Sequence, residues 1–241
     1  MSNPTPNGAQ SLIRTLVDSG VEVCFANPGT SEMHFVAALD DVPGMRAVLG
    51  LFEGVATGAA DGYARIAGKP ACTLLHLGPG LGNGLANLHN ARRAHTPMVN
   101  IVGDHATYHK RYDAPLESDI DAVAGTVSSW VHRSMTPDAV PTDGARAVAE
   151  AMRAPGGVAT LILPADVCWL DSTPPAEPIT PQPAAIVPDE VIVAAARALQ
   201  SDGDSVLFLG GRTLDERGQR AAVRIAAATG AEVFGEVFPR I

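Results

Sequence analysis

Nothing in this 241-residue chain approaches the roughly 18 uninterrupted apolar residues that a membrane span requires, so no membrane partner is expected. Positive charge is scarce as well: 17 Lys and Arg against 26 Asp and Glu leave a net charge of −9. A phosphate backbone is bound by clustered cations, so nucleic acid is excluded as a partner. Cysteine is limited to Cys24, Cys72 and Cys168, an odd number at wide spacing, each in or beside an apolar run. That pattern reads as small core residues in a reducing compartment and gives no disulfide frame. Residues 1–7 are polar, without a basic flank leading into an apolar run, so no secretory signal is read and a cytoplasmic protein is expected.

What is present is a globular balance, with 46% hydrophobic and 18% charged residues, in a length that can bury one ordinary domain and part of another. Leu12, Ile13, Leu16 and Val17 recur at helical spacing, and Gly20 stops that helix before the apolar run 21–26. The alternation continues with a turn at 27–30, a helix over 31–39, a strand at 46–49 and an alanine-rich helix over 53–67. Next come a strand at 71–76, a glycine loop, a helix near 85–94 and a strand at 98–102; a helix over 142–153 and a strand at 158–163 complete the set. Continuous apolar strands alternating with helices predict a doubly wound α/β domain on a parallel sheet, assigned to residues 1–171.

Residues 172–188 hold Pro174, Pro175, Pro178, Pro181, Pro183 and Pro188, too many fixed backbone angles and missing donors for a helix or an inner strand. This is expected to be a linker. Beyond it, 189–199 reads as a helix, 205–209 as a strand, 215–228 as a helix and 232–234 as a strand. Two strands and two helices cannot cover both faces of a sheet, so residues 189–241 are expected to be the incomplete start of a second α/β domain.

In an open parallel sheet ligands bind outside the carboxyl ends of the strands, and the unusual residues collect there. Asn27-Pro28-Gly29-Thr30 follows the first strand, Glu53 the second, His76 to Asn83 the third and Gly103-Asp104-His105 the fourth. Glu53 stands among Leu51, Phe52, Gly54, Val55 and Ala56, where a carboxylate has little water to hydrate it; it is read either as a functional acid or as an acid favoured by a helix N-terminus. The stretch Gly78-Pro79-Gly80-Leu81-Gly82-Asn83-Gly84, followed by a strand and Asp104, also raises a dinucleotide site, but G-x-G-x-x-G fails because Asn83 stands where the last glycine belongs. His76 ends a strand at the same rim and is the histidine best placed to move a proton. His89 and His95 lack metal-ligand partners, so no metal site is assigned, and no serine lies in a G-x-S-x-G elbow.

The string Glu53-Gly54-Val55-Ala56-Thr57-Gly58-Ala59-Ala60-Asp61-Gly62-Tyr63-Ala64-Arg65-Ile66-Ala67-Gly68-Lys69-Pro70 closely resembles the glutamate-helix motif of the pyrimidine-binding domain in thiamine-diphosphate enzymes such as acetolactate synthase and benzoylformate decarboxylase. Asn27 to Thr30 resembles that family's first cofactor loop, and Gly78-Pro79-Gly80 with Asn83 its second; the likeness covers about residues 8–170, with the central domain beginning near Val187. The resemblance implies that Glu53 hydrogen-bonds the pyrimidine N1′ and promotes the imino form, whose nitrogen takes the proton from the thiazolium carbon; that Pro28, Gly29, Thr30 and Asn83 line the cofactor; and that His76 moves protons around a 2-keto acid substrate, as a histidine similar in place does in benzoylformate decarboxylase. It also implies a homodimer or homotetramer, and Mg2+ bound with the diphosphate by a domain that this chain does not contain. The chain departs from acetolactate synthases at Gly103-Asp104 and at Asp113-Ala114-Pro115-Leu116-Glu117, where an aromatic residue is missing, and a flavin is not implied. The expected activity is that of a 2-keto acid decarboxylase or carboligase. A non-catalytic binding or assembly module of the same fold and a dinucleotide-binding enzyme are the alternatives.

Overall fold

A computed structural model describes residues 5–201 and 203–237 and divides the chain into two compact units, 1–182 and 183–241. In the first unit the order is α1 (Gly8–Asp18), β1 (Val23–Asn27), α2 (Met33–Asp41), β2 (Arg46–Leu49), α3 (Glu53–Ala67), β3 (Ala71–Leu75), α4 (Leu77–Arg93), β4 (Met98–Asp104), α5 (Ile120–Gly125), β5 (Trp130–Arg133), α6 (Val140–Met152), β6 (Val158–Pro164) and α7 (Ala165–Trp169). The six strands form one parallel sheet in the order β2-β1-β3-β4-β6-β5. Strand order reverses between β1 and β3, which places the topological switch point there.

Alternate residues of the strands feed two cores. Cys24, Cys72, Leu74, Val99, Ile101 and Leu161 pack with Leu12, Ile13, Leu16 of α1, Phe35 of α2 and Val148 of α6. On the other face Phe25, Leu75, Val102 and Ile162 meet Ala56, Ala60 and Ala64 of α3, Leu81 and Leu88 of α4 and Ile120 of α5. Burial on both faces explains why these strands are continuously apolar. All three cysteines are buried with free thiols. A polar row crosses the sheet within this packing: Thr73 Oγ1 donates to Asn100 Oδ1 at 2.7 Å, and Asn100 Nδ2 donates to Thr160 Oγ1 at 3.0 Å. Each member is satisfied inside the sheet, and the row ties β3, β4 and β6 in one register.

Two local expectations are corrected. The stretch 78–84 is no loop: it forms the opening turns of α4, which starts at Leu77. Glycine is poor in a helix interior, but here bare backbone is what packing demands. A Cβ on Gly84 would stand 2.9 Å from Thr57 Cγ2, and one on Gly78 would stand 2.2 Å from Ser118 Oγ. The second correction is an unanticipated sixth strand, β5, at the sheet edge; its four residues are all half-buried, so no apolar run marks them.

The proline-rich segment has no regular secondary structure, and its start is strapped to α1: Ser11 Oγ donates to the Thr173 carbonyl at 2.7 Å, and Thr15 Oγ1 accepts from the Ala176 amide at 3.0 Å. The second unit contains α8 (Asp189–Leu199), β7 (Val206–Leu209), α9 (Glu216–Thr229) and β8 (Glu232–Gly235), with β7 and β8 paired as a two-stranded parallel sheet. Among the described residues no helix is long and apolar enough to cross a membrane.

Candidate cofactor and proton-transfer site

The site is built where β1, β2 and β3 end. Extended backbone at Phe52 enters α3, which places Glu53 in the helix's first turn with 8% of its surface exposed. Glu53 Oε2 accepts a hydrogen bond from Asn83 Nδ2 at 3.0 Å, so α4 fixes the acid that α3 carries. The backbone beneath is locked by Thr57 Oγ1, which donates to the Glu53 carbonyl at 2.9 Å, and by Asn87 Nδ2, which donates to the Gly54 carbonyl at 2.6 Å. Gly80 lies against the other carboxylate oxygen: a Cβ there would sit 3.2 Å from Glu53 Oε1 and 3.4 Å from His76 Cβ. One glycine therefore joins the surroundings of both acid and histidine.

His76 closes β3 and leads into α4 through Leu77, a buried residue with φ 51. A leucine in left-handed backbone is strained, and its position sets the direction in which the chain leaves His76. The ring's Nδ1 lies 2.8 Å from Glu32 Oε2, and the same oxygen accepts the Gly29 amide at 2.7 Å. Gly29 has no room for a side chain, since a Cβ would fall 2.4 Å from His76 Nδ1. Glu32 is buried between the β1 loop and the end of β4, where a Cβ on Gly103 would fall 1.6 Å from its Oε1. Burial, opposed by the Gly29 amide and by His76, pushes the Glu32 carboxyl above its ordinary value. Nearby, Cys168 is driven well above the ordinary thiol range by burial, then by the charges of Glu32 and Asp166.

The fold thus brings Glu53 to Asn83, and His76 to Gly29. Pro28 is half-buried and Thr30 is exposed at the start of a single 3-10 turn; neither side chain bonds to those residues. Asp104 is completely buried and is held by Arg133 and by Lys110 Nζ at 3.4 Å, while Arg133 also reaches Asp121 at 2.5 Å. Its other oxygen accepts the His105 amide at 2.8 Å. An acid engaged in this way is not available to a ribose, which with the helical Gly78 to Gly84 removes both supports of the dinucleotide alternative. Among the described residues no cluster of His, Cys, Asp and Glu could hold a metal ion.

Glu32 is the site residue that the sequence did not disclose. A glutamate three positions after a turn residue looks like an ordinary helix cap, and it does cap Gly29; that spacing was the available signal. Its partner His76 lies 44 positions away, beyond any local pattern.

The six-stranded parallel sheet in the order 2-1-3-4-6-5 thus carries a buried glutamate just after β2 and a histidine just after β3, with β1 and its Gly29 loop between them. Residues 6–124 match the family model described as the thiamine pyrophosphate enzyme, N-terminal TPP binding domain, and the chain belongs to that family. The protein IlvX of Mycobacterium tuberculosis, which carries the name of an acetolactate synthase large subunit, is 64% identical over 233 residues, covering 97% of this chain and 45% of that protein. The benzoylformate decarboxylase of Pseudomonas aeruginosa is 33% identical over 157 residues, 64% of this chain and 29% of the relative. Among solved structures, the thiamine diphosphate-dependent 4-hydroxybenzoylformate decarboxylase of Rhodococcus jostii RHA1 superposes with a TM-score of 0.87 at 25% identity, over 97% of this chain and 45% of its own. The chain spans less than half the length of each.

Proposed function

We propose that this chain is the pyrimidine-binding portion of a cytoplasmic 2-keto acid decarboxylase or carboligase, in which Glu53 engages the aminopyrimidine ring of thiamine diphosphate. The observation that carries this reading is the setting of Glu53, an acid buried in the first turn of α3 with one oxygen held by Asn83 and the other beside bare Gly80. The residues present suit the cofactor: a flat ring needs close approach to backbone, and a side chain at residue 80 would fill the space beside Oε1. When bound, thiamine diphosphate supplies the electron sink for cleavage or formation of a bond to a carbonyl carbon. Glu53 offers Oε1, the oxygen beside Gly80, to a ring nitrogen, Asn83 orients the carboxyl by holding Oε2, and Pro28, Gly29 and Thr30 line the cofactor. His76 holds or moves a proton at its ring nitrogen beside the substrate. Mg2+ and the diphosphate belong to residues outside this chain.

A second copy of the protein is the proposed partner, as a homodimer or homotetramer. Leu51 is 90% exposed, Phe52 49% and Val55 59%, an apolar shoulder around the buried acid that a subunit would cover. The test uses the complete protein with thiamine diphosphate and Mg2+, supplied with pyruvate and with benzoylformate. Carbon dioxide release that falls by about 100-fold or more in Glu53→Gln supports the reading, since a lost acid–base group costs about that much. Unchanged turnover in that variant would instead favour a non-catalytic module.

A further inference from the structure

Glu32 is an expensive residue to keep. Its side chain is 1% exposed, its Oε1 has no hydrogen-bond partner, and its burial pushes its carboxyl upward. A buried acid with half of its acceptor capacity unused costs stability rather than adding it, so packing does not account for it. Two glycines make room for it and its partner: Gly103 beside Oε1, and Gly29 beside the His76 ring. Leu77, the next residue after His76, stands in left-handed backbone, which a leucine rarely adopts. Three features, from the loop after β1, the end of β4 and the start of α4, surround one hydrogen bond of 2.8 Å between Oε2 and Nδ1.

We infer that Glu32 is a positioning residue that holds His76 with Nδ1–H donated to Oε2, leaving Nε2 as the nitrogen that accepts a proton at the rim. The inference rests on the reading of His76 as the residue that faces substrate. When Glu32 is ionised its Oε2, which already accepts the Gly29 amide, has no proton to donate, so the histidine is the donor in this bond. The neutral ring then carries its proton on Nδ1 and its lone pair on Nε2, the opposite of a ring poised to give a proton first. When Nε2 takes a proton from the substrate or from a solvent donor, the ring becomes a cation against the Glu32 carboxylate. The pair is distinct from Glu53, and Gly80 lies between the two, against Glu53 Oε1 and His76 Cβ.

The test reads the tautomer directly. In the 241-residue chain carrying 15N-labelled histidine, imidazole 15N shifts are recorded at a pH high enough to give the neutral ring, for the wild type, Glu32→Gln and Glu32→Leu. The wild type is expected to show Nδ1 protonated and Nε2 bare; Glu32→Gln, which keeps a carbonyl acceptor, retains that state, and Glu32→Leu loses it in favour of the Nε2–H form. Nε2–H in the wild type, or the same tautomer in Glu32→Leu as in the wild type, would overturn the inference. If Glu32→Leu does not fold, the wild-type spectrum decides alone. No cofactor is needed, so failure of the thiamine-diphosphate reading would appear in the carbon dioxide assay and leave this result standing.

Discussion

Two buried acids of this protein differ in what surrounds them, and the difference decides what each is for. Asp104 has both oxygens engaged, one by Arg133 and Lys110 and one by the His105 amide. Removing Arg133 would leave that charge buried with its main partner gone, so Arg133→Ala is expected to cost about 3–5 kcal/mol in denaturant melts. Glu32 is only half satisfied, and its raised carboxyl has a definite consequence for stability. A carboxyl raised above 4.5 in the fold binds its proton more tightly folded than unfolded, so its contribution is fully present below about that pH and is lost as pH rises through the folded value. Glu32→Gln cannot ionise there. Its melting temperature should therefore gain on the wild type as pH rises from 4 toward 7, and equal gains at all pH values would contradict the raised value.

At the scale of elements, α3 and β2 were legible from sequence because each is specified locally. Arg46 to Leu49 is a short apolar-ended run, and α3 begins at an acid and ends at Gly68 in left-handed backbone. The start of α4 was not legible, because glycines that signal a loop by propensity were selected for contacts with α3 and with Ser118, residues far away in the chain. Edge strand β5 was hidden for a related reason: it is buried on neither face enough to carry an apolar pattern. The same contrast separates two glycines of one helix. Gly84→Ala would push a methyl to 2.9 Å from Thr57 Cγ2 and is expected to destabilise the chain, whereas Gly82 is exposed with open space, so Gly82→Ala should stabilise it by about 0.5–1 kcal/mol. Thermal melts of the two variants check both signs.

At the scale of the molecule, the two units differ in how well they are closed. The six-stranded sheet of the first is covered on both faces, while β7 and β8 of the second leave Val206, Phe208, Val233 and Phe234 largely exposed. A two-stranded sheet is marginal by itself. Amide hydrogen exchange should accordingly be orders of magnitude slower in β3 and β4 than in β7 and β8. Of the candidate site, the sequence placed Glu53 and His76 after strand ends of one parallel sheet, and the fold brings Asn83 of α4 to Glu53. What stayed hidden was Glu32, since its role exists only once β1 and β3 are neighbours. Activation of a bound thiamine ring by Glu53, as proposed, is measured most directly by the exchange rate of the thiazolium C2 proton with solvent, followed by proton NMR in the complete protein loaded with cofactor and Mg2+. Exchange slowed by about 100-fold or more in Glu53→Gln, with the cofactor still bound, is the predicted result; equal exchange rates in the two proteins would contradict it.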